Sequence, residues 1–501
     1  MTEQQTLISE LMETSGVKFG TSGARGLADA MTDRVCYSYT KGFLQYLLEI
    51  GDITHGDVVA IAGDFRPSSP RIMAACAQAA EDMGFVPLNC GFIPTPAVAL
   101  FGIENSVANI MVTGSHIPDD RNGIKFNKPS GEILKQDEDG IAEQVITLDV
   151  SIFDKAGQLK NAKTLSVIEK NARTQYIKRY TNCFPENVLR GIKIGVYQHS
   201  TVARDVMTEI CQALSAEVIP LARSDQFIPV DTEAIRQEDI DLAKHWAAEH
   251  QLDCIISADG DGDRPLVSDE KGEWLRGDVA GILCARYLGA KAVATPVSSN
   301  SALEKSQWFE HIVRTKIGSP FVIAAMQQLL EQVRGIVVGY EANGGFLLAS
   351  DVELEQGKVT ALPTRDAVIV QLAILTLSKR ESKPISQLVA DLPPRFTFSD
   401  RLKNFPTEIS QQRITALSSG VFSQIKTSVE HTLQGFGQLV AVDQTDGLRM
   451  TFDNDDILHL RPSGNAPELR CYSESNSVEQ AQAINLRCMK ILEQWKACCP
   501  S

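Results

Sequence analysis

Positive charge is scarce in this 501-residue chain: 48 Lys and Arg stand against 63 Asp and Glu, a formal net charge of −15. That balance excludes a general attraction to nucleic acid or to an anionic membrane surface. The eleven cysteines are odd in number and never spaced as CxxC, which argues against a disulfide scaffold and against a structural zinc site. Several, such as Cys254 in LDCII, read as reduced core residues. No apolar run reaches the roughly 18 residues of a membrane span. MTEQQTLISELMETSG has no basic start followed by an apolar stretch, so no secretory leader is expected and the cytoplasm is the expected location. With 43% apolar and 22% charged residues the balance is globular, and domains of about 150 residues would number three or four.

The pattern along the chain is α/β. Residues 57–63 (DVVAIAG) read as a strand, followed by a helix capped by Ser68 or Ser69 with Pro70 in its first turn. Residues 86–92 and 106–113 read as further strands, the second ending at Gly114 and Ser115. A helical, charge-rich stretch near 161–180 precedes a strand at 192–197, a helix at 202–214 and a strong strand at 252–257. Beyond Gly277 a helix, the strand KAVATPV, a helix at 320–333 and the strand at 335–340 follow. The last hundred or so residues change character, with paired strands in TDGLRMTFDNDDILHLRPSG and a closing helix at SVEQAQAINLRCMKILEQWK. Polar clusters follow the apolar runs after 63, 113, 257 and 340, where open α/β sheets place ligands.

Asp259, Asp261 and Asp263 alternate with glycines in SADGDGDR. Gly260 and Gly262 permit a tightly curled loop, and three converging carboxylates call for a hard, oxygen-preferring cation such as Mg²⁺. A helix–loop–helix calcium site is excluded, because Arg264 stands where that loop needs glycine and a strand precedes it. In VTGSHIPDDRNGIKF, Ser115 follows a strand with His116 beside it. As a phosphoryl acceptor it needs a base and a cation nearby. Lys125, after Gly123 on an expected chain reversal, is a candidate general acid or base. RPSGNAPELR combines Arg461, Ser463, Gly464, Asn465 and Arg470, donors suited to phosphate. FGTSGARG offers Thr21, Ser22, Gly23 and Arg25 in a similar setting, and GYEANGGF offers Glu341 and Asn343 to sugar hydroxyls. Arg314, Lys316 and the Gly318 turn read as solvated surface.

Together, in this order, these loops resemble the alpha-D-phosphohexomutase superfamily, particularly its bacterial phosphomannomutase/phosphoglucomutase branch. TGSHIPDDRNGIKF looks like its active-serine loop, SADGDGDR its metal loop, GYEANGGF its sugar loop and RPSGNAPELR its phosphate loop. The resemblance implies a heart-shaped, four-domain α/β molecule: 1–158 carrying the serine, 159–274 the metal, 275–385 the sugar loop, and an α+β domain at 386–501 the phosphate loop. It implies a phosphorylated Ser115 that ligates Mg²⁺ with Asp259, Asp261 and Asp263. Arg25, His116, Lys125 and Arg264 would surround the phosphoryl group, Glu341 and Asn343 the sugar, and Arg461, Ser463, Gly464 and Asn465 the phosphate that does not react. Ile117, Asn343-Gly344-Gly345 and Asn465-Ala466 depart from common family residues.

The reaction so implied is a phosphomannomutase's, through a hexose 1,6-bisphosphate that serves as intermediate and activator. Glucose phosphate or dual specificity is the alternative, with glucosamine phosphate behind it. An inactive sugar-phosphate-binding protein and a metal-dependent phosphatase are rivals of other classes. A monomer or weak homodimer is expected, with no nucleic-acid or membrane partner.

Overall fold

Strand Val58–Gly63 (VVAIAG) is almost wholly buried, as a strand with neighbours on both edges and helices on both faces must be. In this computed structural model, which describes residues 3–20, 23–463 and 467–497, it lies parallel to Val86–Gly91 on one side and to Ala108–Val112 on the other. Arg121–Lys128 then pairs antiparallel with Ala108–Val112. A second sheet repeats the order: Lys193–His199 lies between parallel Glu217–Arg223 and Cys254–Ala258, and Pro265–Val267 returns antiparallel on the far edge. In both, the last parallel strand in chain order turns into an antiparallel return, and the turn between them carries the polar motif.

The chain divides into two compact units, Met1–Ala290 with Gly318–Leu388, and Lys291–Ile317 with Val389–Ser501. The first unit also contains the hairpin of Val337–Tyr340 with Phe346–Leu348. Its core under the first sheet centres on Phe43 and Phe126, whose rings stack 4.6 Å apart. The second unit holds the parallel pair Ala292–Pro296 and His311–Thr315. It also holds an antiparallel five-stranded sheet in the order Phe396–Lys403, Glu468–Ser475, Ile457–Pro462, Leu448–Phe452, Leu439–Asp443. The closing helix Val478–Ala497 packs on that sheet through Ile484, Cys488 and Leu492.

The helix expected at 161–180 is shorter, Asn171–Thr181. Residues 161–170 run without regular structure because Asn89 holds them to the end of Val86–Gly91: its side-chain amide donates to Ser166 O and its backbone carbonyl accepts from Glu169 N, each at 2.7 Å. Lys125 lies within the strand Arg121–Lys128, opposite Met111, and not on a reversal. The reversal comes earlier, at 113–120. All nine cysteines among the described residues are buried and free. No helix among those residues is long and apolar enough to cross a membrane.

Candidate active site

Three turns from the first unit meet here, each joining a buried strand to an antiparallel return. The first follows Ala108–Val112 and carries Ser115, which is 1% exposed and takes φ +58°. Its N–H donates to Thr113 Oγ1 at 2.7 Å, and its hydroxyl donates to Asp259 Oδ2 at 2.6 Å. His116 Nδ1 lies 3.4 Å from the same hydroxyl but accepts from Arg264 Nη1 at 2.6 Å. Burial, reinforced by Arg264 and Arg25, holds this imidazole far below its usual range. A neutral ring whose Nδ1 is already engaged by a guanidinium is a poor base for Ser115.

The second turn follows Cys254–Ala258, and Gly262 there takes φ +73°. Asp259, Asp261 and Asp263 are all 0% exposed, and one carboxylate oxygen from each lies within 4.8 Å of the others. The Asp263 and Arg264 N–H groups donate to Asp259 Oδ1 at 3.2 Å, so the loop curls around its first carboxylate. Burial, then the charges of Asp261 and Asp263, push the Asp259 carboxyl well above the usual range. Asp261 Oδ1 and Asp263 Oδ1 are buried with no hydrogen-bond partner. Orphaned oxygens and mutual repulsion of this kind fit a hard divalent cation.

Cationic side chains surround the carboxylates. Lys125 Nζ lies 2.6 Å from both Asp261 Oδ2 and Asp263 Oδ2. Although burial opposes it, the Lys125 ammonium holds Asp261 below the usual carboxylate range. Arg25 sits on Ala24–Leu27 opposite Gly123; burial, then the nearby charge of Arg264, lowers it to about 10.

Sequence reasoning missed three contributors. Thr95 Oγ1 donates to Asp261 Oδ2 at 2.5 Å. Arg365 bridges two turns, its Nε 3.0 Å from Asp263 Oδ2 and its Nη1 3.4 Å from Glu341 Oε2. Arg66 donates to the Ser115 carbonyl at 2.9 Å. PTRDAV and GDFRPSS follow no glycine-rich motif, but both place a charged pair just before a helix, a signal that could have been noticed.

The third turn, after Val337–Tyr340, brings buried Glu341 to Arg365. The Asn343 side chain turns back into its own loop, where Oδ1 accepts from Gly345 N at 2.9 Å. In the second unit, Arg461 and Arg470 are direct cross-strand partners and Arg401 lies opposite Arg470, so three arginines form one row. Asp446 Oδ2 accepts from Arg461 Nε at 2.8 Å, and Ser463 N donates to Glu468 O at 2.8 Å. Arg314 is no solvated side chain: it donates to Glu304 and to the carbonyls of Pro296, Ser299 and Asn300. Thr21, Ser22, Gly464, Asn465 and Ala466 lie outside the described residues.

Models of all four phosphoglucomutase/phosphomannomutase domains match in order: the alpha/beta/alpha domains I, II and III at residues 16–150, 174–272 and 276–396, and the C-terminal domain at 410–490. The chain belongs to the phosphoglucomutase/phosphomannomutase family, within the alpha-D-phosphohexomutase superfamily. Among relatives of this phosphohexomutase, the phosphomannomutase of Salmonella muenchen is 47% identical over 94% of this chain and 95% of its own length. The phosphomannomutase of Sinorhizobium fredii is 42% identical over 95% of this chain and 99% of its own. A family protein from Burkholderia thailandensis shares the fold at a TM-score of 0.72 and 19% identity, over 96% and 98% of the two chains. The family is one of intramolecular phosphotransferases, and its four-domain order is present here.

Proposed function

We propose that this phosphohexomutase interconverts mannose 1-phosphate and mannose 6-phosphate through phospho-Ser115. The observation that carries the reading is the 2.6 Å contact of Ser115 Oγ with Asp259, in a carboxylate cluster walled by Lys125, Arg25, Arg264 and Arg365. The two phosphomannomutase relatives support mannose as the sugar.

In the forward half-reaction a free sugar hydroxyl attacks the phosphoserine phosphorus, and the bond from phosphorus to Ser115 Oγ breaks. The sugar hydroxyl gives up one proton and Oγ gains one, with Lys125 the candidate carrier. The product is the 1,6-bisphosphate; after it turns over in the site, Ser115 Oγ attacks the other phosphate and the proton returns. Arg25, His116 and Arg264 hold the phosphoryl oxygens, and placing donors in a buried site makes them count for more than in water. Asp259, Asp261 and Asp263, with the phosphoserine, would hold Mg²⁺, which neutralises charge developing on the phosphoryl oxygens when bound. Glu341, oriented by Arg365, binds sugar hydroxyls, with Asn343 beside it. The distal phosphate falls to Arg461 and Ser463 with Gly464 and Asn465. The Arg401–Arg470–Arg461 row gathers positive charge for that task, with Asp446 holding Arg461 and Glu468 lying 3.7 Å from Arg401.

The test is turnover of mannose, glucose and glucosamine 1-phosphates, each with Mg²⁺ and its own bisphosphate, alongside mass analysis of the Ser115 peptide. Rapid mannose turnover with phosphate exchange on Ser115 is expected. Negligible mannose turnover beside rapid glucose turnover reverses the sugar. Binding without exchange points to a binding protein, and inorganic phosphate released in step with substrate loss points to a phosphatase.

A further inference from the structure

A buried network beside the serine turn has no part in the chemistry above. Arg66 is only 1% exposed, yet no substrate role falls to it. Its guanidinium pairs with Asp64, also fully buried, and donates to the carbonyls of Ser115, at 2.9 Å, and Ile117. Asp64 accepts from Thr113 Oγ1 at 2.7 Å and from Ser69 Oγ at 2.6 Å. Thr113 Oγ1 in turn accepts the Ser115 N–H at 2.7 Å. Because the threonine proton goes to Asp64, its lone pairs are left for that N–H. One network therefore grips residue 115 at both ends, its N–H through Thr113 and its carbonyl through Arg66.

Two close approaches complete the grip. A Cβ at Gly114 would stand 2.8 Å from Arg66 Cζ, so only glycine lets the guanidinium lie against the turn. The Phe227 ring centre lies 4.2 Å from Arg66 Cζ, in cation–π range. The same ring is 3.2 Å from where a Gly260 Cβ would sit, so it also touches the metal loop.

Ser115 needs such a grip. Its φ of +58° is left-handed, a state that residues with a Cβ resist and that persists only where the surroundings impose it. Relaxed to the right-handed region, its Oγ would swing away from Asp259.

We infer that Asp64, Arg66 and Thr113 are positioning residues that lock Ser115 in the left-handed conformation and so aim its Oγ at the metal loop. The inference rests on Ser115 being the phosphoryl carrier. The clamp reaches the reacting oxygen only through the backbone, so its loss slows transfer while leaving sugar and distal-phosphate binding alone.

The test uses the full chain with Mg²⁺, mannose 1-phosphate and mannose 1,6-bisphosphate. Thr113→Val removes the Ser115 N–H acceptor and one donor to Asp64 while leaving every charged group in place, whereas Arg66→Gln breaks the buried pair and Arg66→Lys keeps the charge. We expect Thr113→Val to fold, to keep KM within about twofold and to lose about ten- to a hundredfold in kcat, the scale of a misplaced reacting group. Arg66→Lys should recover part of the kcat that Arg66→Gln loses. A folded Thr113→Val enzyme with wild-type kcat, or with its whole loss in KM, overturns the clamp, as does Arg66→Lys no better than Arg66→Gln. If wild type itself takes no phosphate on Ser115 from the bisphosphate, the mutase reading fails, and the clamp with it.

Discussion

Asp259 shows how a single residue can be right for a ligand and wrong for stability. Burial and two neighbouring carboxylates raise its pKa, so its surroundings in the folded chain oppose a negative charge there. Asp259→Asn removes that charge while its amide oxygen can still accept from the 263 and 264 N–H groups. With the metal chelated, the variant's melting temperature should rise by about 2–4 °C. Added Mg²⁺ should stabilise wild type and leave the variant unmoved, with mutase turnover lost. A chelated variant that melts below wild type would contradict this account. Two histidines give a second prediction at this scale. His199 Nε2 donates to Ala258 O at 2.9 Å and His459 Nε2 to Asp446 O at 2.6 Å, leaving each Nδ1 buried without a partner. Desolvation lowers both from 6.5 to about 4. With the folded pKa below the unfolded one, their stabilisation is complete above pH 6.5 and drains away as pH falls toward 4. Each should cost about 2 kcal/mol between pH 7 and pH 5. One lies in each unit, so urea unfolding at the two pH values should move both transitions, and His459→Gln should flatten only its own.

At the scale of elements, much of the site was legible because each motif sits on a turn whose incoming strand is a continuous apolar run. VVAIAG, ANIMV, CIISA and VVGY all became buried strands. Harder to read were elements defined by tertiary hydrogen bonds. The segment 161–170 has helical composition but is held by Asn89. The pairing of Glu3–Leu7 with Val145–Asp149 joins residues too distant in the chain for local pattern to reveal. The same holds within the site: Ser115 and Asp259 meet across 144 residues, and only the resemblance of the ordered loops implied it. Arg365 escaped notice because its role depends on the cap beside it. Asp366 starts helix Ala367–Glu381, accepting from Val368 N at 3.1 Å, from Tyr176 Oη at 2.6 Å and from Tyr180 Oη. Asp366→Ala would strand two buried phenols and the nearby Arg179, at a cost of about 3–5 kcal/mol. Asp366→Asn keeps an acceptor and should cost about half as much. Equal losses for the two in denaturant unfolding would show that the cap's hydrogen bonds are not what matters.

For the molecule as a whole, the contest is between a net charge of −15 and the cations gathered at one site. Arg25, Arg264, Arg365 and Arg66 are close enough for their charges to act on one another, while most of the acids that outnumber them are spread over the chain. A sugar phosphate is anionic, so the overall charge repels it, while these arginines attract it in competition with the three aspartates and Glu341 beside them. Charges far apart in water are screened beyond about 8–10 Å at moderate salt, while those in a low-dielectric site are screened less once contact is made. The two fields therefore predict opposite salt effects on capture. If overall repulsion governs encounter, kcat/KM for mannose 1-phosphate rises as salt is added. If focusing by the local arginines governs it, kcat/KM falls, and we expect a fall of about threefold or more between about 20 and 300 mM KCl. Arg25→Gln should flatten that slope, while reversing an acid on an exposed helix face, such as Glu249→Lys, should leave it nearly unchanged. A slope that rises with salt in wild type would mean that the buried arginines serve only the bound phosphate and do nothing to gather it.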